Sequence, residues 1–421
     1  MPTRKLDLIL AALALLGPFA IHLFFPVIPV VKFEFELSDA LAQLTFSVGV
    51  FGMAFSTLVY GTCADRYGRR LVLLIGLFLF LLGSIISALA GSFASLLVGR
   101  IVQSIGAGCG ITLARAIARD VYGAEHLVKA IAYLTMFFAL GGMLAPGVAG
   151  LLIDHLGWRS VFYFAGLTGF GIALGAYFVV PETRSRIEAS SGSPMVAGFL
   201  EPLRQPRFCA LVIHSGCSTG TFLIVATASS TLMKEYLHRP ATEFGLYFAM
   251  VPLGFITGSI ISSRVGNRAS VERMILIGAC IALVAVFAQS TLLLSGYITP
   301  LVLFLPASFM TMAQGISLPF AQAGAMATVP RLAGTAAGIG VFAQNFCGAG
   351  FAQIYGFVAD GSPTPMMEMT ALTVALGLVS ATVPSLLARS KRQKLAMLKR
   401  EQPVPTQNSE SQGNSELFSD V

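Results

Sequence analysis

The sequence predicts an all-α membrane protein in which twelve transmembrane helices form two pseudo-symmetric six-helix bundles. Of the 421 residues, 55% are hydrophobic and only 11% are charged, against about 25% charged residues in a soluble domain. Twelve apolar stretches reach the roughly 20 residues that a helix needs to cross a bilayer. One polar, proline-containing segment divides these stretches into two sets of six.

The predicted spans are helices rather than barrel strands, because their hydrophobicity is continuous and does not alternate. The tenth span is the weakest prediction, since Pro300, Pro306 and Pro319 interrupt it. The first span follows two basic residues but has no convincing cleavage site, which favours an uncleaved helix over a signal peptide. The predicted spans are 8–31, 42–62, 71–90, 96–117, 129–153, 159–181, 208–233, 244–263, 273–294, 298–323, 333–358 and 367–388.

The polar segments predict the domain boundaries. Residues 1–181 form the N-terminal bundle, 182–207 a cytoplasmic linker, 208–388 the C-terminal bundle, and 389–421 a basic interfacial segment with a disordered tail. The motif Arg66-x-Gly68-x-Arg70 recurs as Arg264-x-Gly266-x-Arg268 at the corresponding place in the second set. This match favours a duplicated bundle.

Basic residues predict the orientation in the membrane. With both termini inside, the inner loops and tails contain 22 of the 27 lysines and arginines, and positively charged loops stay cytoplasmic. The outer loops contain only Lys32, Arg159, Lys234 and Arg239. The net charge of +7 therefore reflects topology and not nucleic-acid binding.

The segment GTCADRYGRR between the second and third spans carries the most specific motif. A short loop here requires Gly61 and Gly68 for a tight turn or close backbone approach, and Asp65 can accept hydrogen bonds from a helix N-terminus. The bland alternative is a plain basic turn formed around Arg69 and Arg70. The ordered combination favours a gating loop, whose residues are Gly61, Asp65, Arg66, Gly68, Arg69 and Arg70.

This loop resembles the signature of the major facilitator superfamily of secondary transporters. The stretch GRIVQSIGAGCGITLARAIARD, with Arg100, Gln103, Arg115 and Asp120, looks like the fourth-helix motif of its drug:proton antiporters. GGMLAPGVAGLLIDHLGWRSVF resembles the antiporter motif of the fifth helix, and with PRLAGTAAGIGVFAQN the pattern is most similar to the bicyclomycin-resistance (Bcr/CflA) branch. The antiporter-motif residues are Gly142, Pro146, Gly147 and Gly150.

The resemblance implies the major facilitator fold, with a central cavity that opens to each side in turn. It implies that Asp65 locks the outward-open form at the N-terminus of the eleventh helix, with Arg66 and Arg69 as partners in the switching loop. It also implies that the glycines and Pro146 of the fifth span pack closely against the other half and bend as the cavity changes sides.

Arg100 stands out without the resemblance, because an arginine inside a span is costly and usually marks a pathway or proton relay. Gln103 follows at i+3 on the same helical face. The alternative is a structural arginine that bonds backbone carbonyls.

His22 occupies the place where the related antiporters carry an acid in the first helix. The segment reads His22-Leu-Phe-Phe-Pro26, and none of the twenty acidic residues lies well inside a span. A cavity with His22 and Arg100 but no acid is neutral to positive, so it should disfavour lipophilic cations. His22 either carries the coupled proton or is a neutral hydrogen-bonding histidine, and the sequence leaves both interpretations open.

Other polar residues inside spans describe a wet cavity. His214, Ser218 and Thr221 share one helical face, at i, i+4 and i+7. Any one of these residues can equally be a plain interhelical hydrogen-bond partner. The possible substrate contacts are Gln43, His214, Ser218, Thr221, Gln314, Gln322, Gln344 and Asn345.

Enzyme and metal functions are not indicated. GCSTG, residues 216–220, matches the G-x-S-x-G pattern but lies in a predicted span and not in a strand–turn–helix elbow. There is no P-loop, and the six cysteines form no CxxC pair, so no ATP site, zinc site or disulfide framework is expected.

These observations predict a proton-coupled exporter of small amphipathic compounds, driven by the proton gradient without a cofactor. It is expected to be a monomer in the bacterial inner membrane, with both termini cytoplasmic and with substrate and lipid as its partners. The alternatives are a transporter of an anionic or zwitterionic metabolite, such as a siderophore-like natural product, and a non-transporting receptor or scaffold.

Overall fold

The computed structural model describes residues 4–183, 201–329 and 333–401, and these residues are almost wholly helical. We refer to 4–183 as the N-terminal half and to 201–401 as the C-terminal half. Eleven helical segments of the described chain are long and apolar enough to cross a membrane. The remaining predicted span is also a helix, Ala333–Val358. The predicted fold class is confirmed.

The helices of the N-terminal half are α1 (Arg4–His22), α2 (Val27–Glu34), α3 (Asp39–Tyr67), α4 (Arg69–Ala88), α5 (Phe93–Ala107), α6 (Cys109–Leu156) and α7 (Arg159–Val179). Those of the C-terminal half are α8 (Pro206–Thr231), α9 (Ala241–Phe248), α10 (Met250–Val265), α11 (Val271–Leu294), α12 (Pro300–Thr328), α13 (Ala333–Val358) and α14 (Thr364–Glu401). A π-helical turn, Leu232–Tyr236, extends α8.

The first predicted span is not one helix, because the chain breaks after His22 and resumes helical structure at Val27. Pro26 has no N–H to donate to the carbonyl of His22. That carbonyl instead accepts a hydrogen bond from the backbone nitrogen of Phe25, at 3.2 Å. Proline chemistry therefore places His22 at the end of α1, where the helix gives way to a turn.

The other differences concern helix ends. The predicted connection between the fourth and fifth spans is helical. The fourth span begins in α5 and ends in α6, and the fifth span lies wholly in α6. This connection contains no proline and several good helix formers. Pro306 and Pro319 are accommodated inside α12, and α14 extends beyond the predicted end at 388. Most of the predicted linker and the predicted disordered tail after residue 401 lie outside the described residues.

The two halves pack their helices in a similar way. α4 packs closely on α5, and α10 packs closely on α12. A Cβ added at Gly83 would lie 2.1 Å from the backbone nitrogen of Gln103, and one at Gly258 would lie 2.0 Å from the carbonyl oxygen of Met312. Small residues let helix backbones approach in a membrane, where van der Waals packing drives association. Between the halves, α3 packs on α13 and α6 packs on α9.

Candidate functional site

One side of the molecule is joined across the two halves by an ion cluster, and we call it the Lys32 side. The Lys32 Nζ lies 2.7 Å from Asp39 Oδ1 and 2.9 Å from Glu235 Oε2. Burial alone would lower the pKa of Lys32, but its hydrogen bonds to Asp39 and Glu235 and their negative charges outweigh burial and raise that pKa. Lys32 therefore stays charged and bridges the halves.

A second cross-half contact on the Lys32 side joins α6 to α9. Asp154 Oδ1 and Oδ2 accept hydrogen bonds from the backbone nitrogens of Ala241 and Thr242, at 3.2 and 2.7 Å. These two residues begin α9, so the carboxylate satisfies free amides at the positive end of a helix. Asp154 thus holds the first turn of a helix from the opposite half.

The glycines of the predicted antiporter motif permit this approach. A Cβ at Gly150 would lie 2.3 Å from the carbonyl oxygen of Ala241. A Cβ at Gly245 would lie 2.5 Å from the Cα of Gly147 and 2.7 Å from the carbonyl oxygen of Pro146. Three of the four motif residues therefore contact the C-terminal half through their backbones.

The fourth motif residue, Gly142, contacts His22. His22 Nδ1 lies 3.0 Å from the carbonyl oxygen of Gly142, and a Cβ at Gly142 would come within 2.7 Å of that nitrogen. A carbonyl oxygen only accepts, so Nδ1 carries the hydrogen of this bond. Two residues that the sequence placed in different motifs are thereby brought together.

His22 also belongs to an aromatic cluster, which we define as His22, Phe25, Phe46, Phe222 and Phe248. The His22 ring stacks on Phe25 at 5.0 Å between centroids and lies 5.6 Å from Phe222 and 6.4 Å from Phe248. Phe222 and Phe248 come from the C-terminal half. The cluster therefore fills the space between the halves on the Lys32 side and packs against His22, which remains partly exposed.

A hydrogen bond between Ser230 and the backbone of Phe25 also joins the two halves. Pro29 cannot donate to the carbonyl of Phe25, and that oxygen accepts a hydrogen bond from the Ser230 hydroxyl at 2.7 Å. The Phe25 carbonyl therefore joins the N-terminal half to the C-terminal half.

Arg100 lies inside the N-terminal half, where it is 1% exposed. Its Nη1 donates to Gln103 Oε1 at 2.6 Å, its Nε donates to the carbonyl oxygen of Thr45 at 3.4 Å, and its guanidinium covers the Phe24 ring at 4.1 Å. Gln103 in turn donates to Ser84 at 2.9 Å. Within the described ranges, Arg100 Nη2 has no hydrogen-bond partner. Arg100 and Gln103 thus form a buried hydrogen-bonded group in which the Nη2 nitrogen of Arg100 can still donate.

The predicted gating loop is a single-residue turn, since α3 ends at Tyr67 and α4 begins at Arg69. Gly68 has φ +103° and is the residue that requires glycine. The expectation for Gly61 is wrong: it lies inside α3, and a Cβ there would meet nothing within 4 Å. We call this end of the molecule the Asp65 side.

Charged partners of the gating loop lie within the N-terminal half. Asp65 Oδ1 pairs with Arg69 Nη1 at 2.6 Å, and its side chain is 65% exposed. Arg69 Nε also donates to Asp120 Oδ2 at 3.1 Å. Glu182 accepts hydrogen bonds from the backbone nitrogens of Arg69 and Arg70, at 2.8 and 3.1 Å, and so caps α4.

The two other arginines of the loop stack on tyrosines. Arg66 lies over the ring of its neighbour Tyr67, and Arg70 lies over the ring of Tyr177, both at 5.4 Å. The expected contact of Asp65 with the start of the eleventh helix is untested, since residues 330–332 lie outside the described chain.

Four of the possible substrate contacts meet in one pocket of the C-terminal half. His214, Ser218, Thr221 and Gln314 all line it. The other four lie elsewhere: Gln322 donates to Gln344 at 3.1 Å, Asn345 donates to the carbonyl of Val341, and Gln43 packs against Gly356. The predicted set is thus divided between one pocket and several helix contacts.

Sequence reasoning missed Asp154, Ser230 and Glu235, which make cross-half contacts, and Asp39, which pairs with Lys32. Their signal was weak, because each lies at or near the end of a span, where a polar residue is ordinary. Asp39, Asp154 and Glu235 are acids on the side that has few basic residues. Within the described ranges, no group of three or more His, Cys, Asp or Glu residues is placed to hold a metal ion.

Comparison with known proteins gives one family and several relatives. The profile described as "Major Facilitator Superfamily" matches residues 10–352. The bicyclomycin resistance protein homolog of Haemophilus influenzae is 26% identical over 343 residues, which is 78% of this chain and 83% of the relative. Multidrug resistance protein MdtL of Escherichia coli O81 is 30% identical over 239 residues, 57% of this chain and 61% of MdtL. These matches confirm the resemblance that the motifs indicated.

Solved structures share the architecture. A bacterial homolog of the human lysosomal transporter Spinster superposes with a TM-score of 0.73 at 17% identity, covering 91% of this chain and 96% of that one. A D-xylose-proton symporter superposes with a TM-score of 0.71 at 17% identity, covering 90% and 96%. At this identity the likeness concerns the fold alone.

Proposed function

The chain belongs to the Major Facilitator Superfamily, and from that premise we propose that it exports a small amphipathic compound in exchange for protons. Transport, rather than catalysis, is its activity, and the proton gradient is its energy source. The names of the relatives, which refer to bicyclomycin and multidrug resistance, support efflux as the direction. We place the protein in the bacterial inner membrane with both termini in the cytoplasm, as its basic loops favour.

One observation supports alternating access above all others: the halves are latched on one side. The contacts made by Lys32, Asp154 and Ser230 all cross between the halves on the Lys32 side. The ion pair that Asp65 forms in the described chain, on the opposite side, is with Arg69 of its own half. In the orientation that the basic loops favour, the cavity is closed toward the outside, which is one of the two states that an exporter must visit.

His22 is the proposed proton carrier because of where it lies in this closed state. Its ring is covered by Phe222 and Phe248 of the opposite half. Separation of the halves on the Lys32 side would remove those rings and open His22 to water from the outside. A histidine changes charge near neutral pH, so such a change in exposure can couple proton uptake to the conformational cycle.

The lack of acidic partners at His22 and Arg100 favours a neutral substrate. In the described chain, neither His22 nor Arg100 is paired with a carboxylate. A lipophilic cation would therefore find no counter-charge at these residues. The unpartnered Nη2 of Arg100 favours a second candidate function, transport of an anionic or zwitterionic metabolite.

The decisive experiment measures substrate export in proteoliposomes after a pH jump, from about pH 5 to 8 across the histidine range. His22→Ala should abolish proton-driven transport, whereas His155→Ala, at an exposed histidine on the Lys32 side, should leave it unchanged. Undiminished proton drive in His22→Ala would show that His22 is not the carrier. His22→Asp should restore proton coupling and shift preference toward cations.

A panel of neutral, anionic and cationic compounds tests the substrate charge in the same vesicles. Preference of the wild type for cations would contradict the charge argument, and preference for anions would favour the second candidate. Asp65→Asn should slow turnover if the gating loop works as proposed. Absence of transport of every compound in the panel by the wild type would support the receptor or scaffold alternative.

A further inference from the structure

The C-terminal half contains a pocket that the proton route through His22 does not use. It lies among α8, α10, α11, α12 and α14, inside one bundle rather than between the halves. Its polar side chains are those of His214, Ser218, Thr221, Thr311, Gln314, Ser317 and Thr373, and the rest of its wall is apolar. Its free volume is about 30 Å³, so it has room for one small end of a ligand and not for a whole drug-sized compound.

The imidazole of His214 supplies this pocket with a buried hydrogen-bond acceptor. The residue is 4% exposed, and its Nδ1 lies 3.0 Å from the carbonyl oxygen of Gly377. Since the carbonyl can only accept, Nδ1 carries the hydrogen, and Nε2 of the neutral ring is an acceptor. Nε2 is buried and has no partner among the residues that the structure describes. A buried acceptor without a donor is unfavourable, so the pocket favours a ligand that donates an N–H or O–H group.

The charge of the lining excludes an ionic ligand. No aspartate, glutamate, lysine or arginine is among the residues that line the pocket. A charged group would lose its hydration here without gaining a counter-charge. An uncharged donor group can instead bond Nε2 of His214, while an attached apolar body packs against Phe222 and Met310.

Phe222 connects this pocket to the aromatic cluster. Its side chain lines the pocket, and its ring centroid also lies 5.6 Å from that of His22. A ligand in the pocket would therefore touch the residue that covers His22 in the closed state.

We propose that this pocket binds the uncharged, hydrogen-bond-donating end of an amphipathic compound, with the donor directed at His214 Nε2. The statement that this compound is also the exported cargo depends on the proposed function. Binding itself does not, because it requires no proton gradient. The site differs from His22 and Arg100 in its place, because it lies within the C-terminal bundle.

Photolabelling with three benzophenones that differ only in their head group tests the site in the purified full-length protein. The probes are 4-benzoylbenzamide, 4-benzoylbenzoate and (4-benzoylbenzyl)trimethylammonium. The neutral amide should label the peptide that contains Met310, about tenfold more than either charged probe, as expected for one uncompensated buried charge or hydrogen bond. Mass spectrometry locates and quantifies the label.

Two pairs of variants make the test specific. Ala282→Leu fills the pocket, whereas Ala288→Leu adds the same atoms at an exposed position of the same helix. His214→Ala removes the acceptor, whereas Ser215→Ala removes a neighbouring hydroxyl that bonds only the Leu211 carbonyl. The first member of each pair should lose about tenfold of the labelling, and the second should keep it.

Label that is found only outside the pocket, or equal labelling by the cationic probe, would overturn the proposal. If Ala282→Leu does not fold, as judged by size-exclusion chromatography, unchanged labelling in His214→Ala would overturn it equally. A protein that labels at Met310 but does not exchange substrate for protons would refute the proposed function and leave this site in place.

Discussion

Removal of the Asp154 carboxylate should open the Lys32 side of the protein. Asp154→Ala deletes both acceptors of the hydrogen bonds from the Ala241 and Thr242 backbone, which measure 3.2 and 2.7 Å. Hydrogen bonds to a charged group contribute about 1.5–3 kcal/mol each, but Asp154 is exposed and water can replace part of both. We therefore expect a loss of about 2 kcal/mol, which shifts the closed-to-open equilibrium by roughly 30-fold.

Pulsed EPR between spin labels at Leu89 and Tyr297 measures this equilibrium. The two residues are 68% and 65% exposed, follow α4 and α11 on the Lys32 side, and lie in different halves. Labels introduced as non-canonical amino acids leave the native cysteines in place. The longer-distance population should increase in Asp154→Ala at equal protein concentration and pH.

Asp360→Ala is the matched control. Asp360 is on the same side, but its Oδ1 accepts from the backbone nitrogen of Ser362, at 2.9 Å, within the C-terminal half. This variant loses an aspartate without losing a cross-half bond. Equal distance distributions in Asp154→Ala and Asp360→Ala would refute the view that the α6–α9 contact holds the side closed.

Three further outcomes follow from the same contacts. The partners of Lys32 raise its pKa, so its contribution to closure should be fully present below the ordinary lysine pKa of 10.5 and be lost as pH rises through the raised pKa. The EPR distances should therefore stay constant between about pH 7 and 10. Lys32→Met should open the Lys32 side throughout that range. Gly142→Ala should displace the His22 ring and lower proton-driven export about tenfold. Gly147→Ala is the control and should retain export, because its added Cβ meets nothing within 4 Å. Equal export by the two variants would contradict the role of the His22 contact. Gly83→Ala should destabilise the protein by about 1–3 kcal/mol in reversible unfolding, because its Cβ would lie 2.1 Å from backbone of α5; unchanged stability would show that α4 and α5 can separate without cost.

Much of the fold could be predicted from composition and hydrophobic length. A bilayer core of about 30 Å requires long apolar helices, and every predicted span overlaps a helix in the structure. The breaks within spans were harder to predict, because a proline can end a helix, as Pro26 does after His22, or be accommodated in one, as Pro306 is in α12. The difference depends on which neighbouring groups take over the lost hydrogen bonds.

The candidate site was predictable as residue types but not as partners. The sequence singled out His22 and Gly142 separately, and the structure joins them at 3.0 Å. It grouped His214, Ser218 and Thr221 on one helical face, and all three line one pocket. The cross-half contact of Asp154 could not be predicted, because its partners are backbone amides of α9, which no side-chain pattern reveals.

The sequence by itself determined that this chain crosses the membrane many times, that a short turn with glycine and arginine follows its second span, and that a histidine lies in its first span. These features depend on local composition, spacing and residue type. Only the tertiary structure decided which side is latched, since Lys32 and Glu235 are far apart in the chain and meet only when the two halves approach. It also decided that His22 packs against aromatic rings of the opposite half, because contact between two bundles depends on packing that local sequence does not encode.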